Sequence, residues 1–487
     1  MWRSCAVSAL ALWLAGGALG VGAQDEGAPE RFEVARVPED PYPSTYRPLP
    51  SGPTLIKSAT VFDGKGGEFA NADLLIVNGR IAAMGQRLQA PSGAQVIEAN
   101  GRYVTPGIID VHSHLGDYPS PGLRAHADGN EATRPATPDV WAEHSVWPQD
   151  PGFARALAGG VTTLQILPGS ANLFGGRSAV LKNVPSRTVQ GMKFPGAAYG
   201  LKMACGENPK RVYGQKGGPS TRMGNMAGYR SQWIKATKYR KDWDDYYTKA
   251  EAYRAKIARG EIKAGSKDAD PPKAPDRDLA MDTLADVLRG KIRVQMHCYR
   301  GDEMAQIIDM SHEFGYRVAT FHHAVEAYKV ADLLAKEGIC AAMWADWWGF
   351  KMEAWDAVQE NIPLVHNAGA CAMIHSDSAD GIQRLNQEVA KALANGRRAG
   401  LKISEAEAFQ WLTLNPAKGL GIDKETGSLE AGKAADVVIW SADPFSVYAH
   451  ADRVYIDGAL IYDRADPKLK PVSDFEIGGP LAPRGGK

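Results

Sequence analysis

Two textures of hydrophobic patterning divide this chain. Near both ends, short β-type runs are broken by turn residues. Residues 54–62 and 73–77 are separated and followed by Asp63-Gly64 and Asn78-Gly79, and the same texture returns at 427–440 and 454–462. Between them, compact apolar runs alternate with helix-like segments: 103–114, 161–167, 178–182, 199–205, 292–299, 317–323, 339–345 and 370–377. Eight strand-like runs spaced by helices predict an α/β protein built on a TIM-type (β/α)8 barrel, with its chemistry at the C-terminal strand ends.

The same reading divides the chain into regions. Residues 1–23 have a short positive start at Arg3, an apolar run and a small-residue cleavage site, the pattern of a secretory signal. A proline-rich lead-in covers 24–53. Residues 54–100 and 424–465 are expected to form one composite β-sandwich around a barrel at 101–423. Within the barrel, 229–288 is a helical insertion with Trp233, Tyr239, Trp243, Tyr246, Tyr247 and Tyr253, and 466–487 is an irregular tail. The insertion serves either as a lid or as packing on the barrel.

Composition narrows the function classes. The chain has 487 residues, and 56 basic side chains balance 56 acidic ones, so no global field attracts nucleic acid or an anionic membrane. Signal cleavage would leave a periplasmic or secreted protein without a membrane anchor. Export permits disulfides, yet Cys205, Cys298, Cys340 and Cys371 lie far apart without Cys-x-x-Cys spacing, and are expected to be buried free thiols.

The chemistry begins at Pro106-Gly107-Ile108-Ile109-Asp110-Val111-His112-Ser113-His114. Two histidines at i and i+2 on a strand face the same side and can reach one metal ion. Later strands end in His297, in the pair His322-His323, and in Asp377. Imidazoles with one carboxylate suit zinc or a similar divalent metal.

This set resembles the amidohydrolase superfamily, in its imidazolonepropionase-like and prolidase-like branches. The resemblance implies His112, His114, His297, His323 and Asp377 as metal ligands. His323, followed by Ala324 and Val325, fits the family pattern better than His322. Tyr199-Gly-Leu-Lys-Met-Ala-Cys-Gly206 resembles the stretch whose lysine is carboxylated and bridges two metals, which makes Lys202 the bridging candidate and implies one or two zinc ions. Lys182 is a second candidate without the family surroundings.

By the same resemblance, the metal activates water for attack on a carbonyl, Asp377 acts as general base and then acid, and His323 assists. Tyr299 and Arg300, just beyond His297, are candidate substrate contacts, with Arg300 suited to a carboxylate. The implied activity is hydrolysis of amide or peptide C–N bonds in a small-molecule substrate, led by dipeptides or N-acyl amino acids. Two alternatives stay open: a one-metal cyclic-amide hydrolase or deaminase, and a non-catalytic metal- or ligand-binding barrel. Oligomeric state is not legible.

Overall fold

The structure, a computed structural model, describes residues 32–263 and 270–469. The expected signal at 1–23 lies outside the described residues, as do the start of the lead-in and the end of the tail. Among the described residues no helix is long and apolar enough to cross a membrane. The chain divides into two compact units, residues 1–36 with 244–275 and residues 37–243 with 276–487. In the first, the Phe32 and Tyr253 rings meet edge-on at 4.9 Å, and Arg36 pairs with Glu251 at 3.0 Å.

The second unit contains two sheets of eight strands each. The chain-end sheet is built from β1 (Thr54–Phe62), β2 (Glu68–Val77), β3 (Arg80–Gly85), β4 (Gln95–Glu98) and β5 (Tyr103–Pro106). The barrel sheet follows with β6 (Ile108–Ser113), β7 (Val161–Ile166), β8 (Phe174–Lys182), β9 (Gly200–Ala204), β10 (Arg293–Cys298), β11 (Val318–His323), β12 (Cys340–Met343) and β13 (Cys371–Ile374). The chain then returns to the first sheet with β14 (Val437–Trp440), β15 (Ala451–Ile456) and β16 (Ala459–Asp463).

Both chain ends share the first sheet, since β14 pairs antiparallel with β5 and β5 pairs parallel with β1. The pairings define one branched sheet, in which β4 joins β1 off the main path. Its apolar side buries Ile56, Val61, Leu74, Val104, Val437 and Ile439 together. The run expected as one strand over 103–114 splits at Gly107, whose amide donates to the Asp436 carbonyl at 2.8 Å. There the chain leaves one sheet and enters the other.

In the barrel sheet the strands follow sequence order from β6 to β13. The expected all-parallel barrel needs one correction: β8 runs antiparallel to both β7 and β9. Only residues 167–173 connect β7 to β8, too few for the crossover helix that a parallel return requires. The two outer strands are joined just beyond β13, where the Asp377 amide donates to the His112 carbonyl at 3.0 Å. The Ser376 amide also donates to the Asp110 carboxylate, at 3.1 Å.

The cysteines also depart from expectation. Cys205–Cys298 and Cys340–Cys371 are disulfides, each joining neighbouring strand segments. Long sequence separation hid the pairing, but Cys340 stands directly opposite Cys371 in the β12–β13 ladder. Parallel neighbours are distant in sequence by construction, so cysteine spacing was a poor guide.

Five helices are interspersed with the strands before β11: α1 (Pro151–Ala158), α2 (Glu207–Tyr213), α3 (Arg222–Ala258), α4 (Leu279–Leu288) and α5 (Gly301–Phe314). The insertion's first helix thus starts earlier than expected. Its barrel-side aromatics are core residues. Trp233 stacks on Tyr316 at 4.5 Å and meets Phe174 edge-on at 5.3 Å, while the Tyr229 hydroxyl donates to the Ala204 carbonyl.

Candidate active site

Strand alternation sends Asp110 and His112 of β6 to one side, and His114 continues that face past the strand end. Lys202 on β9 stands opposite Gln295 on β10, and His297 stands opposite His322 on β11. His375 and Asp377 follow β13 with the same two-residue period. Among these groups, His114 Nε2 lies 3.2 Å and His112 Nε2 3.5 Å from Asp377 Oδ1. Lys202 Nζ is 3.4 Å from His112 Nε2, and His323 Nδ1 is 3.9 Å from Asp377 Oδ2. His297 joins through its ring, 4.4 Å from that of His323. The structure therefore brings all six candidate ligands to one end of the barrel sheet.

The paired histidines on β11 have different surroundings. His322 is held by His112 Nδ1 at 3.0 Å and Gln295 Oε1 at 2.8 Å, so both of its nitrogens are engaged. His323 follows with φ of 70°, and this left-handed turn of the backbone redirects its side chain towards Asp377. Asp377 also has positive φ, 47°. Non-glycine residues hold such conformations only where their surroundings impose them, and they gather at functional sites.

One histidine escaped the sequence reading. His375 is buried, and among the described residues neither of its ring nitrogens has a hydrogen-bond partner. Ligand atoms of His112, His323 and His375 lie within 4.8 Å of one another, as do those of His112, His114 and Asp377. The signal was present in His375-Ser-Asp377, which repeats the i, i+2 logic of His112 and His114.

Burial sets the protonation states. It holds His112, His297 and His323 well below the ordinary imidazole value, with Lys202 adding to the effect at each. His375 is pushed down to about 3 by burial, although Asp377 acts the other way. These rings are neutral, as metal ligands must be. Burial alone would raise Asp377, but the His114 hydrogen bond, with Lys202 nearby, brings it below its ordinary value. Lys202 is 1 % exposed, and burial lowers its ammonium to about 7.

The donor set fits a divalent metal. Among the described residues His297 Nδ1, His323 Nδ1 and both nitrogens of His375 are buried without a hydrogen-bond partner, a costly state that a bound cation would relieve. Lys182, the second lysine candidate, is elsewhere. Because β8 is reversed, its end points to the opposite side, where Lys182 pairs with Asp457 at 2.9 Å and Asp436 at 3.4 Å.

Beside the cluster, Tyr299 stacks on His323 at 5.1 Å. Arg300 is engaged by Asp302, with Nε and Nη2 each 2.9 Å from a carboxylate oxygen. Sequence reading missed Lys351 and Glu353 in the loop after β12. Lys351 Nζ lies 3.7 Å from the centre of the Tyr299 ring. Glu353 accepts from Arg222 and from the Glu207 amide, each at 2.6 Å. Gly206, with φ of 81°, makes room, since a Cβ there would collide with the Glu353 carboxylate.

Comparison with known proteins agrees with this geometry. A curated relative, the amidohydrolase tasK of Hapsidospora irregularis, is 32% identical over 451 residues, covering 86% of this chain and 44% of its own length. The chain thus spans less than half of that relative. A dihydroorotase of Citrifermentans bemidjiense is 45% identical over 82 residues, covering 17% of this chain and 19% of its own. Among solved structures, an amidohydrolase from Thermotoga maritima MSB8 is 37% identical with a TM-score of 0.69, covering 84% of this chain and 100% of that one. The amidohydrolase family model matches residues 103–461, from the last strand before the barrel into the returning end sheet, and the chain belongs to this family of hydrolases.

Proposed function

We propose that this chain is an exported, metal-dependent hydrolase of amide or peptide C–N bonds, with dipeptides or N-acyl amino acids as its leading substrates. The observation that carries the reading is Lys202. It is buried, its hydrogen-bond contact is His112 Nε2 at 3.4 Å, and it forms no ion pair among the described residues. A lysine so placed can lose its proton and add CO₂, giving a carbamate and releasing H⁺. The resulting anion would add an oxygen ligand to those that His112, His114, His297, His323 and Asp377 would supply to the metal.

Zinc or a similar divalent ion, one or two per chain, would supply Lewis acidity towards water and the scissile carbonyl. Asp377 accepts the proton of the attacking water and returns it to the departing nitrogen. Its position 3.2 Å from His114 keeps the carboxylate oriented and ionised for the first of these steps. His323, wedged by stacking between Tyr299 and Trp344, holds a fixed orientation towards the carbonyl. Export to a periplasm or exterior is supported by the two disulfides, which persist in oxidising compartments.

Elemental analysis of the purified protein beside Lys202→Ala tests the reading. About two metals per chain, falling in the variant, supports it; one metal in both overturns the bridging role. The short dihydroorotase-like segment favours a second reading, hydrolysis of a cyclic amide. A panel of linear and cyclic amides separates the two.

A further inference from the structure

Resting on the reading of this site as a C–N hydrolase, we propose that Lys351 and the aromatic loop after β12 form the subsite for the amino-acid part of the substrate. The Lys351 ammonium takes the α-carboxylate, and Trp347 with Phe350 receives a large apolar side chain.

The loop carries an unusual density of aromatic residues with their faces open. Trp347 is 38% and Phe350 55% exposed. Large apolar rings left in solvent mark a binding surface when they are contiguous. Here they are contiguous with the candidate metal ligands. Trp344 stacks on His323 at 4.5 Å, and Trp347 stacks on Trp344 at 4.7 Å with planes 14° apart. Phe350 meets Trp344 edge-on at 5.9 Å and Tyr299 at 6.3 Å. An aromatic wall therefore runs from His323 out to the mouth of the site.

The charge sits beside this wall. Lys351 Nζ lies 3.7 Å from the centre of the Tyr299 ring, and Tyr299 stacks on His323 at 5.1 Å. One ring thus separates the ammonium from the ligand cluster. The carbonyl and the carboxylate of an N-acyl amino acid are separated by only the amide nitrogen and one carbon, so the carboxylate of a substrate held at the cluster stays in its immediate surroundings. Lys351 is also not consumed by its acidic neighbour. Glu353 Oε2, 3.3 Å away, engages one side of the ammonium, while Arg222 and the Glu207 amide hold the other oxygen, Oε1. An ammonium has three donors, so some remain for a ligand. Arg300, the sequence candidate for this task, is instead occupied by both oxygens of Asp302.

Binding and turnover are tested separately on the metal-loaded protein. Tryptophan fluorescence follows titration with L-phenylalanine, L-phenylalaninamide and glycine, and needs no catalysis. The expected result is that L-phenylalanine binds at least about tenfold more tightly than either of the others. In Lys351→Met the acid and the amide should bind within about twofold, while Lys351→Arg restores part of the preference. The proposal is overturned if wild type binds acid and amide alike, or if the preference survives in Lys351→Met. It is overturned too if Trp347→Ala turns a dimer into a monomer without changing phenylalanine binding, since the wall would then be an interface between copies. Steady-state kinetics on N-acetyl-L-phenylalanine and its carboxamide separate this idea from the broader one. Hydrolysis of both without discrimination sinks the subsite alone. Discriminating binding with no amide hydrolysed sinks the hydrolase reading and leaves the subsite standing.

Discussion

The Asp110 carboxylate on the first barrel strand is held by Ser376 from beyond the last, through both its backbone amide and its hydroxyl. The same carboxylate also accepts from the His112 amide at 3.1 Å. One buried acid thereby ties the two outer strands together directly beneath the metal-ligand candidates. Ser376→Ala removes the hydroxyl and leaves the two amides in place. It is expected to lower stability by about 1–3 kcal/mol in denaturant unfolding.

Burial, countered in part by these hydrogen bonds, raises Asp110 from its ordinary 3.8 to about 7. Between those two values the folded metal-free protein keeps a proton that the unfolded chain has released. Folding stability should therefore fall as pH rises from about 4 to about 7, and Asp110→Asn should flatten that slope. Denaturant midpoints across this window, wild type against variant, check the sign.

Lys202 and Lys182 predict opposite phenotypes. Lys202→Ala should lose metal while remaining folded, since among the described residues Lys202 forms no ion pair with a carboxylate. Metal-free wild type should also regain metal faster with bicarbonate above pH 7 than at pH 6, because the amine, lowered to about 7, must be neutral to add CO₂. Lys182→Ala leaves the buried Asp436 and the partly buried Asp457 without their cation, and should cost about 3–5 kcal/mol of stability. Its metal content should follow that of wild type. Equal metal loss in both variants would contradict the distinction.

His323 and His322 are separable in the same way. Loss of His323 should remove metal and activity together. Substituting His322 with Gln should leave metal partly bound, because His322 acts on His112 and Gln295. Metal titration of each variant by calorimetry decides which histidine is the ligand.

The disulfides bear on compartment. Reduction of Cys205–Cys298 and Cys340–Cys371 should lower the thermal midpoint, each bridge contributing about 2–4 kcal/mol. Thermal scans with and without reductant measure the effect directly.

Much of the site was legible in the sequence because metal chemistry uses strand parity. His112 and His114 announce themselves by i, i+2 spacing, and His297, His323 and Asp377 each close an apolar run. What stayed hidden depended on relations between distant segments. The direction of β8 follows from a connection too short to cross over, while its apolar pattern fits either direction. The cysteine pairs depend on which strands are neighbours. Lys351 lies in a loop without periodicity, and its relevance arises only because Tyr299 lies under it.

The reversed β8 bears on the long insertion as well. A hairpin from β7 to β8 brings no helix to the outer surface, so that flank of the barrel would be bare. Residues from the insertion cover it, with Tyr229 and Trp233 on Phe174 and the Thr283 hydroxyl accepting from Arg177 at 2.8 Å. The barrel-side part of the insertion therefore stands in for a missing crossover helix. Trimming it as a dispensable ornament would strip the scaffold on which Lys202 is mounted.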